Sequence, residues 1–143
     1  MPKIVTRTLP FLALVFAVSC GEPEASLKAK NEGPPPFEPI DVDALAPFSD
    51  SVLARGLDIY KDSCARCHRI GKAGAPRIGH GPDWTSRIEG GMEQLISRAL
   101  EGYESPAGNE MPARGGNEEL SDEDVTAAVK LMVHLSATET LNP

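Results

Sequence analysis

Residues 64–68 read Cys-Ala-Arg-Cys-His, and this pentapeptide decides the fold. Cys64 and Cys67 are three positions apart, so on a helical turn both sulfur atoms lie on one side. Two thiols placed in this way can each add to a vinyl group of one haem, and His68 follows in the position to bind the iron. The spacing Cys-x-x-Cys-His is therefore the attachment signature of c-type haem.

Two other kinds of site use a similar cysteine pair. A structural zinc site needs two further Cys or His ligands, and the remaining candidates, Cys20, His80 and His134, do not form a second pair. A thioredoxin-like dithiol needs a neighbouring strand–helix–strand pattern, which the sequence around the pentapeptide lacks. Covalent haem c, attached through Cys64 and Cys67, is the cofactor that the sequence predicts.

The chain begins with a predicted export signal, residues 1–19. Two basic residues are followed by an apolar run at residues 9–18, which is too short to span a bilayer. Small residues then precede Cys20, as in bacterial lipoprotein signals. The prediction is that Cys20 is lipidated and anchors the protein on the periplasmic side of a bacterial membrane. The alternative is ordinary cleavage after Ser19, which leaves a free thiol.

Residues 20–49 are predicted to be a Pro-rich flexible tether, because prolines and charged side chains leave little apolar surface to bury. A flexible chain of this length averages about 30 Å from end to end. With lipid on Cys20, such a tether would hold the following domain near the membrane. The alternative is a disordered N-terminus without a task. Residues 50–143 are predicted to form the haem domain.

Apolar spacing predicts three amphipathic helices. The first runs from about residue 50 into the haem motif, the second covers residues 92–101, and the third begins at Ser121, where Asp124 completes a capping box. Gly56 lies inside the first helix, where glycine costs about 1 kcal/mol relative to alanine. Close approach of another helix is the expected reason. The intervening stretches are predicted to be loops, at residues 70–82 and 104–117.

The identity of the sixth iron ligand decides between two kinds of haem chemistry. Iron bound by His and Met transfers electrons, whereas iron with an open sixth position binds small molecules. Met111 is the predicted sixth ligand because it precedes a proline in a loop rich in glycine. Met92 and Met132 lie on apolar helix stripes, where methionine usually fills the core. His80 is the rival ligand.

Beyond the pentapeptide, the chain resembles the bacterial class I cytochromes c, closest to the cytochrome c5 type, over about residues 52–136. The resemblance rests on Gly56, Tyr60 and Cys64, on Gly74-Ala75-Pro76-Arg77-Ile78-Gly79, and on Met111-Pro112-x-x-Gly115-Gly116 ahead of Leu120-Ser121-Asp122. It implies an all-α fold in which three to four helices wrap around one covalently attached haem. The implied iron ligands are His68 and Met111.

The resemblance also implies roles for residues around the haem. The carbonyl of Pro76 is expected to accept a hydrogen bond from His68, and Trp84 and Arg87 are expected to lie near the haem propionates. One departure concerns residues 116–119, just after the methionine loop. Some cytochromes c5 have a disulfide there, and this chain has no cysteine.

The predicted function is one-electron transfer in a bacterial respiratory-type chain, without catalysis. The expected partners are a membrane quinol-oxidising complex and a terminal oxidase or reductase. One alternative is a haem enzyme or gas-binding sensor whose sixth ligand is labile. Another is a permanent subunit of a larger complex, which has the same chemistry.

Charge is distributed unevenly in the predicted domain. Residues 61–87 contain six basic and two acidic residues, whereas residues 88–143 contain three basic and eleven acidic residues. The hypothesis is that basic residues surround the haem edge and dock on an acidic partner. The alternative is a set of ordinary solvated faces. With a net charge of −7, the exported protein is not expected to bind nucleic acid.

Overall fold

The computed structural model describes residues 36–140, with side chains up to Ala137. The helices of this part are α1 (Ser51–Ile59), α2 (Ala65–His68), α3 (Gly81–Glu89), α4 (Met92–Glu101) and α5 (Asp122–Thr140). Two short strands, β1 (Tyr103–Glu104) and β2 (Glu110–Met111), pair in antiparallel register. The predicted small helical fold is confirmed.

Helix α1 delivers the haem motif to the middle of the domain. It begins after Asp50, whose carboxylate accepts the backbone N–H groups of Val52 at 2.7 Å and Leu53 at 3.0 Å, as an N-cap does. A wider turn of π type, Tyr60–Cys64, connects α1 to α2. The motif therefore lies at the end of one nearly continuous helical segment, as predicted.

Helices α1 and α5 cross closely at Gly56. A Cβ atom at this position would lie 2.3 Å from the backbone oxygen of Ala127, which is closer than real Cβ atoms approach. Any side chain would therefore push α1 away from α5. The glycine inside the helix is explained by this contact, and the predicted close approach is confirmed.

Helix α3 corrects the sequence prediction of a loop at residues 70–82 with no helix between that loop and residue 92. Pro82 is tolerated in the first turn, where its missing N–H needs no partner. Only Trp84 and Ile88 give the helix an apolar face. Two apolar residues in nine are too few to produce a helical period in the sequence, and burial of Trp84 stabilises the helix instead.

Helix α4 ends at a glycine, and helix α5 begins with the predicted capping box. Gly102 follows α4 with a φ of 88°, a conformation that favours glycine. At the start of α5, the Ser121 hydroxyl accepts the Asp124 N–H at 3.1 Å, and the Asp124 carboxylate accepts the Ser121 N–H at 3.3 Å. This reciprocal pair is the predicted capping box.

Residues 37–48, here called the strap, pack on the domain. This corrects the prediction of a flexible tether over residues 20–49. Val42 is only 4% exposed and belongs to the main hydrophobic core. Ile40, Leu45 and Phe48 pack against the same core. The sequence did not predict this packing, because the four core-contacting apolar residues are separated irregularly by aspartates, alanines and one proline and have no helical or strand period.

No helix in residues 36–140 is both long enough and apolar enough to cross a membrane. The predicted signal at residues 1–19, the lipidation site Cys20 and the first part of the tether lie outside the described residues.

Candidate haem site

One cleft brings the haem motif together with the loop that carries Met111. Its lining includes Cys64, Cys67 and His68 from the α1–α2 segment, and Met111 from β2. Two segments contribute to its lining. The His68 wall is residues 68–84, of which His68, residues 72–76 and Trp84 line the cleft, and the Met111 wall is residues 103–122, of which several residues between 103 and 115 line it.

The His68 imidazole is prepared to act as a neutral ligand. It is 6% exposed, and its Nδ1 lies 2.8 Å from the carbonyl oxygen of Pro76. A carbonyl can only accept, so Nδ1–H donates and the lone pair of Nε2 is left for a metal. Burial lowers the pKa of His68, which outweighs the opposing effect of the Pro76 hydrogen bond.

The loop that holds His68 is fixed by hydrogen bonds along its backbone. Ile78 is fully buried and donates its N–H to the His68 carbonyl at 2.8 Å. Trp84 donates its indole N–H to the Arg77 carbonyl at 2.7 Å. Since this N–H is the only polar group of the indole, Trp84 offers a haem propionate no hydrogen bond, only its ring.

Asp83 fixes the same loop through Arg77. Its Oδ2 accepts the Arg77 backbone N–H at 3.0 Å and the Arg77 Nε–H at 2.8 Å. Burial alone would raise the pKa of Asp83, but the hydrogen bonds from Arg77 and His80 outweigh it and lower the pKa well below its usual range. Arg87 lines the cleft and donates to the Asp83 carbonyl oxygen.

The Met111 wall is held by more exposed contacts. Met111 is half-buried and pairs with Tyr103 across the two-residue ladder. Arg114 has a φ of 53°, which is strained for a residue with a side chain. Its guanidinium donates to the Leu120 carbonyl at 2.9 Å and to the Asp122 carboxylate at 2.6 Å.

Two methionines line the cleft, and their surroundings differ. Met132 is 5% exposed and belongs to the core cluster of Ile78 and Trp84, which are residues of the His68 wall. Met111 packs against the separate cluster of α4 and α5 residues that contains Ala99 and Val129. Met111 is thus the cleft methionine that packs outside the core cluster of Ile78 and Trp84.

The rival ligand His80 does not line the cleft, and neither do His134 and Met92. His80 Nδ1 lies 2.9 Å from Asp83 Oδ1 at the start of α3. The ring of His134 contacts the ring of Phe48 on the strap.

Burial of Cys64 disfavours a redox dithiol. Cys64 and Cys67 do not form a disulfide. Burial raises the pKa of the Cys64 thiol to about 11, whereas redox dithiols need a depressed pKa. In the part of the chain that the structure describes, no three His, Cys, Asp or Glu side chains are grouped to hold a metal ion.

The lining fits a haem. Apolar side chains of α4 and α5, including Leu95, Ala99 and Val129, form much of it. Arg66, Lys72, Arg87 and Arg98 are its cationic residues, and Glu110 is its carboxylate. A largely apolar cleft with cations suits a flat macrocycle that carries two propionates.

No signal in the sequence marks Asp83, Arg114 or the apolar lining of the cleft as parts of the site. Asp83 directly follows the predicted loop at residues 70–82, where the sequence has no apolar period. The stripe containing Leu95 and Ala99 was recognised as a helix face, but no sequence signal distinguishes a face that packs on haem from one that packs on protein.

Comparison with known proteins identifies the family. The family described as "Cytochrome C oxidase, cbb3-type, subunit III" matches residues 51–132, which is more than half of the chain. The chain belongs to this family of c-type cytochromes. It is 45% identical over 80 residues to cytochrome c-555 of Chlorobaculum tepidum, covering 56% of this chain and 73% of the relative. It is 32% identical over 77 residues to cytochrome c5 of Ectopseudomonas mendocina, covering 52% and 83%.

A solved structure has the same fold. The cytochrome is similar to a chain from "Crystal structure of electron transfer complex of nitrite reductase with cytochrome c", with a TM-score of 0.51 and 29% identity over 57% of this chain and 94% of that chain. These comparisons confirm a class I, cytochrome c5-like protein. The chain is accordingly an electron-transfer protein with covalently bound haem c, and not an enzyme.

Proposed function

We propose that this cytochrome carries one electron at a time with His68 and Met111 as the two axial ligands of its haem iron. The observation that carries the proposal is the single cleft lined by Cys64, Cys67, His68 and Met111. When bound, the haem supplies the couple of ferric and ferrous iron, which gains or loses one electron. A methionine ligand favours the ferrous state and raises the potential.

The residues of the chain hold the haem in an environment that changes little between the two oxidation states. The Pro76 carbonyl keeps His68 in one tautomer and orientation. Apolar residues of α4 and α5 pack against Met111. Arg87 places a guanidinium in the cleft, where it can neutralise a haem propionate, and Trp84 packs there through its ring.

The cellular setting follows from the sequence. The protein is exported, because haem c is attached outside the bacterial cytoplasm and residues 1–19 form an export signal. Lipid on Cys20 holds it at the periplasmic side of the membrane. The tether is then residues 20–36, since the strap belongs to the haem domain. Tethering raises the effective concentration of the domain near membrane partners.

The partners are redox proteins. Electrons come from a quinol-oxidising membrane complex and go to a terminal oxidase or reductase. In support, the similar solved chain belongs to an electron-transfer complex with nitrite reductase. The four cations that line the cleft outnumber its one carboxylate and the two propionates of a haem together, so an acidic surface is the complementary docking partner.

The test of axial ligation is the near-infrared spectrum of the ferric holoprotein. We expect a low-spin spectrum with the weak methionine-to-iron charge-transfer band, and no spectral change when carbon monoxide is added to the ferrous protein. Met111→Leu should abolish the band and allow carbon monoxide to bind. The matched control Met132→Leu should keep both properties of the wild type. A high-spin wild-type spectrum, or loss of the band in Met132→Leu alone, contradicts the proposal.

A further inference from the structure

We propose that Asp83 is a positioning residue for His68 and acts through the peptide unit that joins Pro76 to Arg77. The inference rests on the proposed ligation of iron by His68. The carbonyl of this peptide accepts the His68 Nδ1–H at 2.8 Å, and its N–H donates to Asp83 Oδ2 at 3.0 Å. The peptide therefore lies between the histidine and the carboxylate.

The geometry of the peptide unit couples these two hydrogen bonds. The unit is planar and trans, so its C=O and N–H point in opposite directions and cannot turn independently. Fixing the N–H on Asp83 therefore fixes the direction of the oxygen that holds His68. In addition, hydrogen bonds in a chain polarise one another. Donation of the N–H to a carboxylate makes the Pro76 oxygen a stronger acceptor and the His68 imidazole a more basic ligand.

The side chain of Arg77 holds Asp83 in place, and the indole of Trp84 holds Arg77. Arg77 Nε and Nη2 donate to its two carboxylate oxygens at 2.8 Å and 3.2 Å. The indole N–H of Trp84, in the first turns of α3, donates to the Arg77 carbonyl. The carboxylate is about three-quarters buried, so solvent screens the interaction less than it screens a surface ion pair.

The strap covers this arrangement from the outside. The Phe37 ring lies 4.8 Å from the Arg77 guanidinium carbon and 4.8 Å from the His80 ring centroid. Ile40 fills the space beside Gly79, where a Cβ would lie 2.1 Å from Ile40 Cδ1. Phe48, at the other end of the strap, contacts His134 instead. The two ends thus provide a test variant and a control.

The experiment compares Asp83→Ala with Asp83→Asn in the full-length holoprotein. Asparagine loses the charge but keeps an oxygen that can accept the Arg77 N–H, whereas alanine loses both. The readouts are the solvent exchange of the His68 Nδ1–H proton, followed by NMR in the ferrous state, and the midpoint potential. We expect exchange about tenfold faster in Asp83→Ala than in Asp83→Asn. The midpoint potential should also be higher in Asp83→Ala, because a less basic imidazole stabilises ferric iron less.

Two controls separate this effect from general destabilisation. Asp124→Ala removes another aspartate that is paired with an arginine, Arg55, at 2.8 Å on the α1–α5 side, and it should leave both readouts unchanged. Phe37→Ala, like Asp83→Ala, should accelerate the solvent exchange of the His68 Nδ1–H proton. Phe48→Ala should leave this exchange unchanged. This second pair decides the matter if Asp83→Ala does not retain haem.

Equal proton exchange and equal potential in Asp83→Ala and Asp83→Asn would overturn the positioning role, as would identical effects of Phe37→Ala and Phe48→Ala. Failure of the proposed function gives a different result. If His68 does not bind the iron, the wild-type ferrous protein lacks the Nδ1–H signal of a haem-ligated imidazole before any variant is compared.

Discussion

The two walls of the haem cleft hold their ligands by different physical means. In the His68 wall, Ile78 is fully buried and Trp84 is 3% exposed, and the hydrogen bonds run between backbone groups and buried side chains. In the Met111 wall, the ion pair of Arg114 ends on Asp122, whose side chain is 65% exposed. The ion pair of the His68 wall, Arg77–Asp83, is partly buried, whereas the ion pair of the Met111 wall ends at an exposed carboxylate that salt can screen. Met111 should therefore leave the iron more readily than His68.

The largest expected effect comes from a pair of glycine substitutions, one in each wall. Gly79 and Gly116 have φ values of +77° and +84°, so an alanine is strained at both. Only Gly79→Ala also clashes, since Ile40 occupies the space of its Cβ, whereas the nearest atom at Gly116 is 3.6 Å away. Chemical unfolding of the holoprotein should show a loss of about 3 kcal/mol for Gly79→Ala and about 1 kcal/mol for Gly116→Ala. Equal losses contradict the packing difference.

The second prediction concerns the pH dependence of the His68 wall. The pKa of Asp83 is lowered in the folded protein, so its contribution is complete above the unfolded pKa of about 4 and is lost as pH falls toward the folded pKa. At pH 7, Asp83→Asn should be less stable than wild type by about 2 kcal/mol. This difference should shrink as the pH is lowered from 4 in denaturant unfolding. A difference that stays constant between pH 7 and pH 2 contradicts the assignment.

A third, smaller effect is expected at Arg114 in the Met111 wall. Arg114→Gln removes the ion pair with Asp122 and weakens the link to the Leu120 carbonyl, at a cost of about 1 kcal/mol. The affinity of ferric iron for imidazole, measured by loss of the methionine charge-transfer band, should rise about fivefold. Arg55→Gln breaks another surface ion pair and serves as the matched control. An equal rise in this control would show that the effect is not specific to the Met111 wall.

The smallest effect is expected at Ser63. Its hydroxyl accepts the side-chain N–H of Asn117 at 3.1 Å and links the haem motif to the Met111 wall. Ser63→Ala should raise the imidazole affinity only about twofold, because one partly exposed hydrogen bond contributes about 0.5 kcal/mol. An effect larger than that of Arg114→Gln would mean that this bond, and not the ion pair, holds the wall.

Local signals made much of the fold predictable from the sequence. The capping box at Ser121 and the apolar spacing of residues 92–101 placed two helices, because both signals depend only on near neighbours in the chain. Gly56 indicated a close helix crossing for a similar reason. Helix α3 and the strap could not be predicted in this way. Trp84 and Val42 are stabilised by a core assembled from distant segments, and neither segment has a period of its own.

The site was predictable to a similar extent. The motif at residues 64–68 is a local pattern with one specific chemistry, and the resemblance supplied candidate roles for Pro76 and Met111. The contribution of Asp83 depends on the three-dimensional path of the loop, which brings its carboxylate to the N–H that follows Pro76. Spacing alone contains no information about that contact.

The most direct test of the difference between the walls is a titration of the ferric wild-type protein with imidazole. The methionine charge-transfer band reports on Met111, and the hyperfine-shifted ring signals in the NMR spectrum report on His68. We expect the band to disappear while the His68 signals remain those of a bound ligand. Loss of the His68 signals with the band intact, or absence of the band before any imidazole is added, would contradict the account.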